Sequence, residues 1–98
     1  MTFELLYTST ADSQLDALEK NRGLVKRCKA VKKALGLMQV NMKHPSLNTH
    51  KYSAMTGANG EEVFEAYAEN NTPAAYRIFW HYGPGKNEIT ILAITPHP

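Results

Sequence analysis

Apolar and polar positions alternate at the start of the chain and then follow a helical period. The alternation predicts a first strand over residues 2–8. Its apolar side chains are Phe3, Leu5 and Tyr7. A helix is expected to follow as far as about Lys20, with Ser9 or Thr10 as its cap, because a hydroxyl accepts the unpaired N–H groups of a first helical turn.

A second helical period runs from about Leu24 to Val40, after a break at residues 21–23. Its apolar positions recur at spacings of 4, 3, 4 and 3, which places them on one helix face. They are Leu24, Cys28, Val31, Leu35 and Met38. Cys28 is the single cysteine and cannot form an internal disulfide, so we interpret it as a small buried hydrophobic residue. His44-Pro45 ends any helix that reaches it.

From Leu47 onward, short extended runs alternate with turn residues. The runs are 47–55, 62–68, 75–82 and 88–95, and the turn clusters are 57–60, 70–73 and 83–87. This order predicts an α+β fold: an N-terminal strand, an antiparallel helix pair, and then a three- to four-stranded antiparallel meander. The helices are expected to cover one sheet face, and residues 1–98 are expected to form one domain.

Strand parity predicts which side chains share the sheet face that the helices leave open. Successive residues of a strand point to opposite faces, so Arg77 and His81 share one face and Trp80 lies on the other. The row of Trp80 is the more apolar one and is expected to face the helices. The best match with the preceding run places Glu65 and Tyr67 beside Arg77. The open face is therefore predicted to carry a cation, a carboxylate and a phenol.

Charge is distributed unevenly, although the net charge is only +2. Residues 20–33 contain seven basic and no acidic side chains. They are Lys20, Arg22, Lys26, Arg27, Lys29, Lys32 and Lys33. A basic side suits RNA or an acidic protein partner, and a solvated helix face is the open alternative.

Composition favours a cytoplasmic protein without membrane contact. No apolar run approaches the roughly 20 residues that cross a bilayer, and an acidic residue stands near the N-terminus where a signal peptide carries basic ones. The four histidines lack compact metal-ligand spacing, so neither a metal nor a cofactor is expected.

Three short motifs accompany this order of elements. They are the segment from Leu47 to Gly57, the dipeptide Tyr76-Arg77 followed by Ile-Phe-Trp, and the terminal Ile-Leu-Ala-Ile-Thr-Pro-His97. With them, nearly the whole chain resembles the RelE/ParE superfamily of bacterial toxins, and the YafQ and YoeB types more than RelE itself. The resemblance implies a toxin with a cognate antitoxin. It also implies either a ribosome-dependent messenger RNA endonuclease or, for the ParE type, a gyrase poison.

The resemblance also implies roles for individual residues. Arg77 matches the arginine that clamps the scissile phosphate, and His97 matches the C-terminal histidine that protonates the leaving 5′ oxygen in the YoeB and YafQ types. His50 resembles the first histidine of the YafQ pattern. The two strand lysines of RelE fall on Glu65 and Tyr67 here, so an all-basic mechanism is excluded and Glu65 or His50 is the candidate base.

Contacts with RNA are predicted for basic and aromatic side chains outside this set. They are Lys26, Arg27, Lys29, Lys32, Lys33, Lys51 and Tyr67. Other interpretations remain open. Arg77 can form a surface ion pair with Glu65, and His97 stands before Pro98 where the family usually has an aromatic residue. The protein can also be a gyrase-directed or antitoxin-binding member without nuclease activity, or an adaptor outside the family.

Overall fold

A computed structural model describes residues 2–97 and shows two α-helices against one face of a five-stranded sheet. The strands are β1 (Glu4–Tyr7), β2 (His50–Thr56), β3 (Glu62–Tyr67), β4 (Tyr76–Tyr82) and β5 (Glu88–Pro96). The helices are α1 (Ser9–Lys20) and α2 (Val25–Val40), with 3₁₀ turns at Arg22–Leu24 and Pro45–Leu47. The predicted α+β class and element order are confirmed.

The sheet has the order β1-β5-β4-β3-β2. Strands β2 to β5 form the predicted antiparallel meander, with four strands. Strand β1 adds a fifth by pairing parallel to β5, with Leu5 opposite Ile89. A parallel pair needs a long connection between its strands, and here the helices and the meander supply it.

The first helix begins with a cap one residue earlier than predicted. Thr8 is the N-cap, because its backbone is still extended while Ser9 is already helical. The Thr8 hydroxyl accepts a hydrogen bond from Ala11 N–H at 3.1 Å and donates one to the Leu92 carbonyl at 3.0 Å. The cap therefore also ties the helix to β5, so the prediction of Ser9 or Thr10 was wrong.

The extended run predicted from Leu47 begins three residues too early. Leu47 lies in a 3₁₀ turn and is fully buried. His44 starts that turn because its Nδ1 accepts a hydrogen bond from Ser46 N–H at 3.2 Å, and Asn48 ends it with a left-handed φ of 44°. Strand β2 starts only at His50.

The main core lies between the helices and the sheet. Trp80 is fully buried there, as strand parity predicts, and Met38 of α2 contributes to the same cluster. Cys28 is half-buried against this core. A smaller apolar cluster of Val63, Phe79 and Ala93 covers part of the other face, which we call the open face. No helix within residues 2–97 is both long enough and apolar enough to cross a membrane.

Candidate functional site

Three adjacent strands bring the predicted site residues together on the open face. The register places His50 of β2 opposite Glu65 of β3, and Tyr67 of β3 opposite Arg77 of β4. Residues at alternate positions of a strand share a face, so these four side chains form one continuous patch. We call His50, Glu65, Tyr67 and Arg77 the open-face cluster.

Glu65 lies at the centre of the open-face cluster and contacts both His50 and Arg77. Its Oε1 is 2.7 Å from His50 Nε2, and its Oε2 is 3.6 Å from Arg77 Nε. The carboxylate is 7% exposed, whereas the imidazole is 42% exposed. A buried carboxylate is costly to leave without a partner, so the two contacts explain why an acid is stable at this position.

His50 has an acceptor at each ring nitrogen. Its Nδ1 lies 2.7 Å from the Asn48 carbonyl, and its Nε2 lies 2.7 Å from the Glu65 carboxylate. Both ring nitrogens therefore face oxygen acceptors, which orients the imidazole. The ring is also edge-on to Tyr67, with centroids 5.7 Å apart.

Arg77 is a buried cation held by oxygen atoms and an aromatic ring. Its Nη1 donates to the carbonyls of Glu69 at 2.7 Å and Tyr76 at 3.3 Å. The guanidinium carbon lies 3.6 Å from the ring centroid of Tyr67, a cation–π contact. The buried Nε has no hydrogen-bond partner among the described residues. The ion contact with Glu65 is therefore present, but it is buried and not the surface pair considered from the sequence.

His97 follows β5 next to the start of β4. Its backbone N–H donates to the Ala75 carbonyl at 2.7 Å, and Thr95 is the register partner of Arg77. His97 thus occupies the diagonal position to Arg77, for which neighbouring strands give a separation of about 7–8 Å. The structure therefore brings the backbones of Arg77 and His97 together.

The predicted RNA-binding residues lie on two surfaces. Lys26, Lys29, Lys32 and Lys33 are exposed on α2, whose buried side packs on the face of the sheet opposite the open-face cluster. Lys32 forms an ion pair with Glu19 at 2.8 Å, and this hydrogen bond raises the pKa of Lys32.

The remaining predicted RNA contacts are Lys51 of β2, Tyr67 of β3 and Arg27 of α2. Lys51 follows His50 in β2, so its side chain lies on the opposite sheet face; it is exposed and pairs with Glu62 at 3.4 Å. Tyr67 belongs to the cluster itself. Arg27 points at backbone carbonyls of the loop between β3 and β4.

Sequence reasoning missed the backbone groups that hold the cluster. The carbonyls of Asn48 and Glu69 bind His50 and Arg77, and a carbonyl leaves no residue-type signal. Asn48 is partly foreseeable, because asparagine tolerates the left-handed conformation that it adopts here. Within residues 2–97, no group of three or more His, Cys, Asp or Glu side chains is arranged to hold a metal ion.

No protein-family model matches the sequence, and no curated protein matches it. Solved structures do share its fold. A YoeB/ParE toxin from Agrobacterium tumefaciens has a TM-score of 0.70 at 6% identity, covering 98% of this chain and 100% of that chain.

Two further structures agree with this result. An archaeal RelE-RelB complex from Pyrococcus horikoshii OT3 gives a TM-score of 0.60 at 15% identity, covering 98% of this chain and 96% of that chain. A YoeB dimer from Staphylococcus aureus gives 0.62 at 12% identity, with 100% of both chains covered. At these identities the likeness shows the fold, and it confirms the predicted RelE/ParE resemblance at that level.

Proposed function

From the fold that the chain shares with RelE, YoeB and ParE toxins, we propose that it is the toxin of a bacterial toxin–antitoxin module. We further propose that it is a ribosome-dependent messenger RNA endoribonuclease. The observation that carries this proposal is the placement of Arg77 and His97 at diagonal positions of β4 and β5, beside the pair of His50 and Glu65.

The proposed reaction is attack of a ribose 2′ hydroxyl on the neighbouring phosphate. The P–O bond to the 2′ oxygen forms, the P–O bond to the 5′ oxygen breaks, and the products end in a 2′,3′-cyclic phosphate and a 5′ hydroxyl. The reaction needs a base, a cation beside the developing charge, and an acid for the leaving oxygen. Arg77 is assigned the positive charge. His97 is assigned the proton for the 5′ oxygen.

His50 is the better candidate for the base, and Glu65 orients it. The imidazole is 42% exposed and therefore reachable, whereas the carboxylate is 7% exposed and already accepts from His50. A carboxylate that holds one imidazole nitrogen stabilises the protonated ring that forms when histidine takes a proton. In the present geometry both ring nitrogens are engaged, so His50 must release one contact and be neutral before it accepts the proton.

The partners follow from the same proposal. The exposed lysines of α2 suit contact with ribosomal RNA, while the open face holds the messenger. A cognate antitoxin is proposed because one of the structures with this fold is a RelE-RelB complex.

One observation favours a second candidate, a gyrase-directed or antitoxin-binding protein without nuclease activity. Arg77 is only 8% exposed, and two carbonyls, a ring and a carboxylate surround its guanidinium. A cation enclosed in this way can serve the fold alone. Under this hypothesis, replacing His50, Glu65 and His97 together leaves any growth effect intact.

The deciding experiment adds purified protein to a reconstituted bacterial translation reaction and maps messenger RNA 5′ ends, with and without ribosomes. The proposal predicts cuts in phase with codons that need ribosomes and are lost in Arg77→Ala. Lys86→Ala, which removes an exposed cation from the β4–β5 turn, is the matched control and should cleave normally. Urea unfolding of each variant separates loss of chemistry from loss of fold. Intact message with folded wild-type protein, or full cleavage by folded Arg77→Ala, contradicts the proposal.

A further inference from the structure

Arg27 ties helix α2 to the loop between β3 and β4. Its Nη1 donates to the Ala74 carbonyl at 2.8 Å, and its Nη2 donates to the Pro73 carbonyl at 2.9 Å. Its Nε lies 3.9 Å from Glu69 Oε1, and its guanidinium carbon lies 5.8 Å from the ring centroid of Tyr76. The side chain is 25% exposed. The donors of this arginine are therefore directed at the loop and not at solvent.

The same loop holds two of the candidate catalytic residues, Arg77 and His97. The Glu69 carbonyl accepts from Arg77 Nη1 at 2.7 Å, and the Ala75 carbonyl accepts from the His97 backbone N–H at 2.7 Å. Glu69 also uses its side chain here, because Oε1 accepts from Tyr76 N–H at 3.0 Å at the start of β4. A shift of this loop would therefore move the clamp and the acid together.

The loop needs outside support because its backbone is unfavourable. Ala74 has a φ of 53° and Asn71 has a φ of 55°, both in the left-handed region. A side chain with a Cβ is disfavoured in this conformation, and alanine has no polar group that could form a compensating local hydrogen bond. The two carbonyls that Arg27 binds lie on either side of the Ala74 α-carbon, so its two hydrogen bonds hold this residue in place.

We propose that Arg27 is a positioning residue that sets the loop for Arg77 and His97. For its effect on catalysis, this inference rests on the proposed nuclease function. It differs from the RNA contact predicted for Arg27 from the sequence, because the guanidinium is occupied by the protein itself. Lysine cannot replace it, since one ammonium lacks the planar fork that spans two carbonyls.

The first test measures amide hydrogen exchange by NMR and needs no nuclease activity. The amides of Tyr76 and His97 are the reporters, because their hydrogen bonds lie on the loop side of the site. Arg27→Lys and Arg27→Ala should each speed their exchange about tenfold, as expected when hydrogen bonds of a charged donor are lost. Lys86→Ala, which removes a distant positive charge, should leave both rates unchanged. The amide of Ile91 in β5 should also stay protected, which shows that the effect is local.

The second test separates positioning from RNA binding in the cleavage reaction. Arg27→Lys keeps the charge, so a positioning role predicts a turnover rate about tenfold lower with KM within about twofold of wild type. If Arg27→Ala raised KM at normal turnover and Arg27→Lys had the wild-type KM, Arg27 would be a phosphate contact and the proposal would be overturned. Unchanged exchange at Tyr76 and His97 in Arg27→Ala would also overturn it. If wild-type protein fails to cut message, the proposed function fails, and the exchange rates still decide the role of Arg27.

Discussion

Replacing Glu65 with glutamine tests whether one buried carboxylate holds the open-face cluster together. The change keeps the shape of the side chain and removes its charge. The Glu65 side chain is 7% exposed, with His50 Nε2 at 2.7 Å and Arg77 Nε at 3.6 Å. Without the carboxylate, the buried Arg77 guanidinium and the His50 imidazole lose the acceptor that they share.

The expected cost follows from the burial of each partner. Removing one member of a buried ion pair costs about 3–5 kcal/mol of unfolding free energy when nothing else compensates. Arg77 keeps its two carbonyl acceptors and the Tyr67 ring, which reduces that figure. His50 is 42% exposed, so its share is that of a surface pair, about 0–1 kcal/mol. We therefore expect Glu65→Gln to cost about 2–3 kcal/mol, a large part of the roughly 5–15 kcal/mol available to a small domain.

Urea unfolding at neutral pH measures this cost, provided that the slope of free energy against urea stays constant. Glu62→Gln is the matched control, because Glu62 is exposed and pairs with Lys51 only at 3.4 Å; it should cost about 0.5 kcal/mol or less. In an Arg77→Met background, Glu65→Gln should cost about 1 kcal/mol or less, since the buried cation is gone. The reasoning would be refuted if Glu65→Gln and Glu62→Gln had equal costs. It would also be refuted if Glu65→Gln cost as much in the Arg77→Met background as in the wild type.

Three further predictions concern the core, a turn and the loop. Met38→Ala removes a fully buried side chain and should lower the unfolding free energy by about 2–5 kcal/mol in urea; a loss below about 1 kcal/mol would contradict its place in the core. The Glu61 carboxylate accepts hydrogen bonds from its own backbone N–H and from that of Asn59, and they lower the pKa of Glu61. The contribution of this carboxylate to the unfolding free energy is therefore complete above its pKa in the unfolded chain, and it fades as pH falls through the lower native pKa. The stability difference between wild type and Glu61→Gln should therefore shrink between about pH 7 and pH 3, and a constant difference would exclude this origin. Ala74→Gly relieves a left-handed φ and should raise the melting temperature by about 2–4 °C, whereas a decrease would show that this conformation is not strained.

The sequence predicts the sheet faces well because alternation is a local property. Trp80 and Arg77 stand three positions apart in β4, so the period of two already places them on opposite faces of the sheet. The match of Arg77 with Tyr67 follows from the same parity, and the register confirms it. Boundaries that depend on side-chain hydrogen bonds are harder to predict. Thr8 caps α1 with a hydroxyl that also donates to the Leu92 carbonyl of β5, a contact between residues 84 positions apart.

Long-range pairing and backbone acceptors account for most of what the sequence did not predict. Nothing in residues 2–8 indicates that β1 joins β5, since that partner lies more than 80 positions away. Arg27 stands among lysines in an acid-free segment, so the composition of that segment indicated a side chain that contacts solvent or RNA. Its actual acceptors are carbonyls 46 and 47 positions later, in a loop whose left-handed residues have no strong sequence signal.

The most direct test of the account uses a message whose scissile 5′ oxygen is replaced by sulfur. A thiolate leaves without a proton at neutral pH, so the sulfur removes the need for a general acid. On ribosomes, His97→Ala should cut the ordinary message about 10²–10⁴-fold more slowly than wild type does. It should cut the sulfur-substituted message nearly as fast as wild type cuts that message. Arg77→Ala should be slow on both, because its charge is needed whichever group leaves. Equal cleavage of the ordinary message by wild type and a folded His97→Ala variant, or no cleavage of either message by wild type, would contradict the assignment.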